Sequence, residues 1–170
     1  MNNCIDLPPG KPIYLKVLPA NIPELLRSYP QWVNWRAEWN GTKWTKVPYQ
    51  INGNKADKTN QAHWSDFSKV IATYENSEGG FDGIGFVLTG KDPFTALDLD
   101  DCVNRDGRIN DQAIQVIQMM NSYTEFSPSG SGIRIFVEGK LKRNRRKGSI
   151  EAYNDLSYVT VTGHATGGTK

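Results

Sequence analysis

Alternation of apolar and polar positions dominates this chain, and helical spacing interrupts it. "WVNWRAEW" (32–39) and "TKWTKVPY" (42–49) are alternating runs around Asn40-Gly41, which predicts a β-hairpin with a two-residue turn. Ahead of them, "IPELLRS" (22–28) predicts a short helix with Pro23 in its first turn. The proline-rich residues 1–21 read as an irregular arm with one short strand at "IYLKV", and "INGNKADKTN" (51–60) reads as a polar loop. In "DFSKVIATYE" (66–75), Phe67, Val70, Ile71 and Tyr74 share one helical face, with Ser65 as N-cap. "IGFVLTG" and "FTALDLD" predict two strands joined by a turn around Asp92-Pro93. "NDQAIQVIQMMN" (110–121) is helical through Ile114, Ile117 and Met120, capped by Asn110 or Asp111. "YTEF" and "IRIFVEG" make another hairpin across the loop "SPSGSG", a basic stretch follows, and "SIEAY" and "SYVTVTG" close the pattern.

Seven or eight strands and three helices, ordered as hairpins interrupted by helices, predict an α+β sheet domain rather than a doubly wound one. A helix between two hairpin-like pairs is the order of RNA-recognition-like and other split β-α-β layouts. At 170 residues the chain has the size of one domain, and 38% hydrophobic with 22% charged residues excludes a disordered chain. The net charge of +2 says little about partners, but "KLKRNRRK" (140–147) places six cations in eight positions and leaves the remainder net acidic. Cys4 and Cys102 form no CxxC pair, and with only His63 and His164 there is no zinc set, so both thiols are expected reduced in a cytosolic protein. No apolar run approaches a membrane span, and the N-terminus lacks a signal-peptide core. The ending "TGHATGGTK" reads as flexible, either a natural tail or the edge of a domain cut from a longer protein.

Three aspartates break the apolar run "FTALDLDDCV" (94–103). On a strand, Asp98 and Asp100 share one face, about 6–7 Å apart along the backbone, while Leu97, Leu99 and Asp101 take the other. Two buried carboxylates need a counter-charge, and a hard divalent cation such as Mg²⁺ supplies one. The plainer alternative is a pair facing solvent at a strand end. A calcium loop fails on spacing, because Val103 stands where glycine is required. In "SPSGSGIRIF", Gly130 and Gly132 permit left-handed backbone, the N–H groups and hydroxyls of Ser129 and Ser131 suit an anion, and Arg134 stands within reach of it. A flexible hairpin loop is the alternative there. Glu151, an acid inside a strand pattern, completes a candidate three-carboxylate set or faces solvent on an edge. Tyr153 shares its face, and Tyr158 begins the next strand as a candidate core aromatic.

Together these segments, in order from about residue 30 to 164, resemble the primase-polymerase domain of phage and plasmid replication proteins, in the archaeo-eukaryotic primase superfamily. The family pattern is an hDhD strand, a small-residue loop running into a His-bearing strand, and a late acid in a strand. The resemblance implies that Asp98, Asp100 and Glu151 hold Mg²⁺ or Mn²⁺ and are catalytic. It implies that Ser129, Gly130, Ser131, Gly132 and Arg134 contact a nucleotide's triphosphate, and that Tyr158 lies near its sugar or base. Arg134 stands where many members carry histidine, which keeps phosphate binding and removes a proton donor near neutral pH. Lys46 is the N-terminal residue expected to touch phosphate, with a solvated hairpin lysine as the alternative. Lys140, Lys142, Arg143, Arg145, Arg146 and Lys147 are expected to track a nucleic-acid backbone, with a solvated basic loop as the alternative.

The implied fold is α+β, an RNA-recognition-like mixed or antiparallel catalytic sheet with flanking helices and an N-terminal hairpin-helix subdomain. The expected organisation is an arm over 1–21, a catalytic domain over 22–164 divided into 22–80 and 81–164, and a tail or truncation point over 165–170. The implied reaction is template-directed nucleotidyl transfer from dNTPs or NTPs to a 3′-hydroxyl on DNA. Its setting would be the cytoplasm of a bacterium or phage-infected cell, with a helicase in the same or a partner chain and no membrane. A non-catalytic DNA-binding module and a metal-dependent nuclease remain the rival readings.

Overall fold

The structure is a computed structural model describing residues 10–167. It is an α+β arrangement of two antiparallel sheets with few helices. The elements are α1 (Glu24–Arg27), β1 (Trp32–Trp39), β2 (Trp44–Tyr49), α2 (Phe67–Asn76), β3 (Gly83–Leu88), β4 (Phe94–Leu99), α3 (Asp111–Met120), β5 (Tyr123–Phe126), β6 (Ile133–Glu138), β7 (Arg145–Lys147), β8 (Ile150–Tyr153) and β9 (Ser157–Val161). One sheet has the order β2-β1-β3-β9 and the other β5-β6-β4-β8-β7. The first takes strands from both sides of residue 80, because β9 returns to pair with β3.

Alternation explains the core. Ile84, Phe86 and Val159 in one sheet pack with Phe94, Ala96 and Phe136 of the other, beside Leu26 of α1 and Val70 of α2. The opposite face of the five-stranded sheet buries Leu99, Ile133 and Ile135 under Ala113, Val116 and Ile117 of α3. Helix α3 is capped by the Asn110 side chain, which accepts from the Ala113 N–H at 2.9 Å.

Several local expectations shift. The hairpin turn spans four residues, Asn40–Lys43, because Trp39 pairs with Trp44 and the Asn40 side chain accepts from the N–H groups of Thr42 and Lys43. Asp66, not Ser65, precedes α2, since Ser65 is held in a bridge to Trp32. "IYLKV" forms no strand, and its Leu15 N–H donates to the Pro128 carbonyl at 2.9 Å. The strands around Asp92-Pro93 enter different sheets instead of pairing. The basic stretch supplies β7, whose three residues pair with β8. Cys102 is a buried free thiol, whereas Cys4 lies outside the described residues. No helix among the described residues is long and apolar enough to cross a membrane.

Candidate active site

Strand register assembles the charged residues. Glu125 on β5 stands opposite Arg134 on β6, Arg134 opposite Asp98 on β4, Asp98 opposite Glu151 on β8, and Glu151 opposite Arg146 on β7. One row of ionisable side chains therefore crosses all five strands. Residues directly opposite in an antiparallel sheet have Cβ atoms about 4.5–5.5 Å apart, and like charges there repel. The neighbouring acids Asp98 and Glu151 are each flanked by an arginine. Arg134 Nη2 lies 3.3 Å from Asp98 Oδ2, and Arg146 Nε lies 3.0 Å from Glu151 Oε1. The first pair is nearly enclosed; in the second, the Arg146 side chain is 74% exposed.

Arg134 is buried and also ties the sheets together. Its Nη1 donates to the Thr160 carbonyl at 3.1 Å and to the Thr160 hydroxyl. Fully buried Glu125 does the same one strand away, accepting from Gly163 N–H at 2.7 Å, Thr162 N–H at 3.0 Å and the Tyr123 hydroxyl at 2.7 Å. Burial pushes the Glu125 carboxyl above its ordinary range, while the Tyr123 hydroxyl, these amides and the Arg134 charge pull it back. The sequence reading missed Glu125, although an acid inside the short strand "YTEF" poses the question that Asp98 posed.

Between the sheets lies an open cleft of about 320 Å³, lined among others by Lys43, Lys46, Asp98, Arg134, Tyr153 and Tyr158. Its size falls in the range of small-molecule sites. Burial holds the Lys46 ammonium below its ordinary pKa, helped by Arg134 and opposed by Asp98 and Asp100. Lys46 thus belongs to the electrostatic neighbourhood of the acids rather than to a solvated hairpin. Burial also raises the Tyr158 phenol, whose ring lies where a Cβ on Gly85 would sit, 2.4 Å from Cε2. Glycine at 85 is what lets that ring lie against β3.

Asp100 follows the end of β4 and is exposed as a residue. Its carboxyl is nevertheless raised, first by desolvation and then by Asp98, with Arg134 opposing. Asp98 Oδ1 is buried without a hydrogen-bond partner. An orphaned carboxylate oxygen beside a second, raised carboxyl suits a cation. The expected trio is nonetheless not gathered: no group of three or more His, Cys, Asp or Glu among the described residues is placed to hold a metal ion. Glu151 is engaged by Arg146 and by the Tyr153 hydroxyl.

The small-residue loop is a tight turn closed by Ser127 N–H to the Gly132 carbonyl at 2.8 Å, with Gly130 at φ 74°. The hydroxyls of Ser127, Ser129 and Ser131 form a chain, 3.1 Å and 2.9 Å apart. A Cβ on Gly132 would meet the Leu99 carbonyl at 2.8 Å, which places the loop against the end of β4 that leads to Asp100. Residues 129–132 do not line the cleft itself.

The basic run divides. The Lys140 ammonium is bound by this protein's own carbonyls, at Thr89 (2.6 Å), Phe94 (2.9 Å) and Asn154 (2.6 Å), and by Asp92 at 3.1 Å. That correction removes Lys140 from the expected nucleic-acid set, because an ammonium with three donors is saturated there. Lys142, Arg143, Arg145 and Lys147 are exposed, as is Arg146 beyond its contact with Glu151. Trp32 and Trp35 are buried in the core.

No protein-family model matches the chain. A curated protein of Nitratiruptor phage NrS-1, described as a DNA primase-polymerase, is 37% identical over 152 residues, which is 84% of this chain and 20% of the relative. The chain thus spans about a fifth of that relative's length. Over most of its own length, this chain is therefore similar to a fifth of a phage DNA primase-polymerase.

Proposed function

We propose that this domain performs template-directed nucleotidyl transfer, joining a dNTP or NTP to a 3′-hydroxyl on primed DNA. The observation that carries the reading is the buried, partnerless Asp98 Oδ1 at the edge of a cleft shared with Arg134 and Lys46. Sequence likeness to a phage DNA primase-polymerase supports it. The order β5-β6-β4-β8, with α3 linking β4 to β5, supports reading the five-stranded sheet as RNA-recognition-like.

In this mechanism Asp98 and Asp100 would hold Mg²⁺ or Mn²⁺, and Glu151 would join them on leaving Arg146. Such an ion, when bound, lowers the pKa of an attacking hydroxyl and neutralises charge on the phosphates. The chain's own residues do the rest. Arg134 is held in place by Thr160, so its guanidinium is oriented before a phosphate arrives. Lys46 places a second cation on the opposite wall, from β2. Tyr158, fixed over Gly85, shapes the cleft where a sugar or base would lie. The serine hydroxyls and loop amides of 129–132 would serve phosphates reaching past Asp100. Template, primer and nucleotides are the implied partners, with a helicase in the same or a partner chain, in a bacterial or phage-infected cytoplasm.

Primer extension on a primed template with dNTPs and Mn²⁺ tests this, comparing wild type with Asp98→Ala/Asp100→Ala. The expected loss is at least about 100-fold. Tight DNA binding with neither extension nor cleavage would establish a non-catalytic module, a reading favoured by the arginines that already neutralise Asp98 and Glu151. Shortening of the primer would establish a nuclease.

A further inference from the structure

Beside the cleft, and sharing Tyr153 with it, lies a second cavity of about 660 Å³ bordered by Lys58, Lys142 and Arg143. A third, of about 330 Å³, continues from it through Gly90, Asp155 and Leu156 to Trp64. Lys58 comes from the loop after β2, whereas Lys142 and Arg143 precede β7, so cations from distant segments converge on one groove. Two polar atoms along it are buried without partners, Asn154 Oδ1 and Trp64 Nε1. Asn154 is itself only 6% exposed.

Where the second and third cavities meet stands Leu156. Its backbone has φ 47° and the residue is 54% exposed, in the short connection between β8 and β9. A bulky residue in the left-handed region costs about 1–2 kcal/mol relative to a relaxed backbone, and water gains nothing from an apolar side chain. Glycine would remove that strain. An exposed, strained leucine between two cavities therefore calls for an occupant.

We propose that this groove seats a single strand of nucleic acid leading to the catalytic cleft, with phosphates on Lys58, Lys142 and Arg143 and a base against Leu156. The proposal rests on the polymerase reading above and goes beyond it by naming the strand's path. The three cations complement a phosphodiester chain. Leu156 gives a base an apolar surface, and the Asn154 acceptor and Trp64 donor suit base edges. Asp155, the acid common to both cavities, repels phosphates, so the backbone contacts are assigned to Lys58, Lys142 and Arg143 alone.

The test is fluorescence anisotropy of the 170-residue chain with fluorescein-labelled oligothymidylate across a salt series. Leu156→Gly relaxes the backbone, so its melting temperature stays level or rises while affinity falls roughly fivefold. Lys58→Ala/Arg143→Ala weakens binding and flattens the salt slope by about 1.4. Binding of a fluorescent dNTP with Mn²⁺ is unchanged in both, because neither touches the cleft. Oligonucleotide binding by both variants indistinguishable from wild type, while Asp98→Ala/Asp100→Ala still abolishes extension, overturns the path and spares the polymerase. Normal affinity in Leu156→Gly alone overturns the base contact. A wild-type chain that neither binds the oligonucleotide nor extends a primer overturns both.

Discussion

Glu125 offers a test of how the two sheets are joined. Its carboxylate, fully buried, receives Gly163 N–H at 2.7 Å, Thr162 N–H at 3.0 Å and the Tyr123 hydroxyl at 2.7 Å. Glu125→Ala leaves three buried donors without an acceptor. At about 1 kcal/mol each, the low end for orphaned groups because water can enter the space, the loss is about 3 kcal/mol. For a chain of this size that lowers Tm by about 6–12 °C. Glu125→Gln is the informative partner. Burial raises the folded-state pKa above the usual 4.5, so the folded protein holds the proton more tightly than the unfolded chain does. The resulting stability is fully present below the unfolded pKa and is lost as pH rises through the folded value. Glutamine abolishes that pH dependence, but both carboxylate oxygens accept, so its amide N–H₂ must face one of these donors and it costs about 1–3 kcal/mol. Urea unfolding followed by circular dichroism at several pH values above 4.5 reads both effects. The reasoning fails if alanine is as stable as wild type, or if wild-type stability does not fall as pH rises while that of glutamine stays level.

Gly85→Ala drives a methyl to within 2.4 Å of the Tyr158 ring and 3.0 Å of the Val159 carbonyl, so it should cost about 1–3 kcal/mol and displace the ring from the cleft. Thermal unfolding checks it, and an unchanged Tm would place the ring elsewhere. Arg146→Ala removes an exposed ion pair and should change stability by less than about 1 kcal/mol. If Glu151 joins the proposed metal site, the same substitution should tighten Mn²⁺ binding measured by electron paramagnetic resonance; unaltered Mn²⁺ affinity counts against Glu151 as a ligand.

Much of the local structure was legible because it obeys a period. The β1–β2 hairpin and helices α2 and α3 follow from apolar spacing, whereas the meeting of Asp98 with Glu151 does not. The errors cluster where a tertiary partner decided. Ser65 lost its cap position to a bridge with Trp32, and the strands around Asp92-Pro93 went to different sheets because β9 returned to β3. Lys140 looked like part of a basic run until Thr89, Phe94 and Asn154 surrounded its ammonium.

The sequence by itself determined the elements, the acids and the order of motifs that place this chain beside primase-polymerases, because those depend on residue type and spacing along one strand or helix. The tertiary structure decided which charges meet. Register between strands far apart in sequence set Glu125, Arg134, Asp98, Glu151 and Arg146 in one row, and strand packing brought Lys46 and Tyr158 over it. A one-residue slip in any of those pairings sends a charge to the opposite face, and no periodicity within a single strand specifies its neighbour's register.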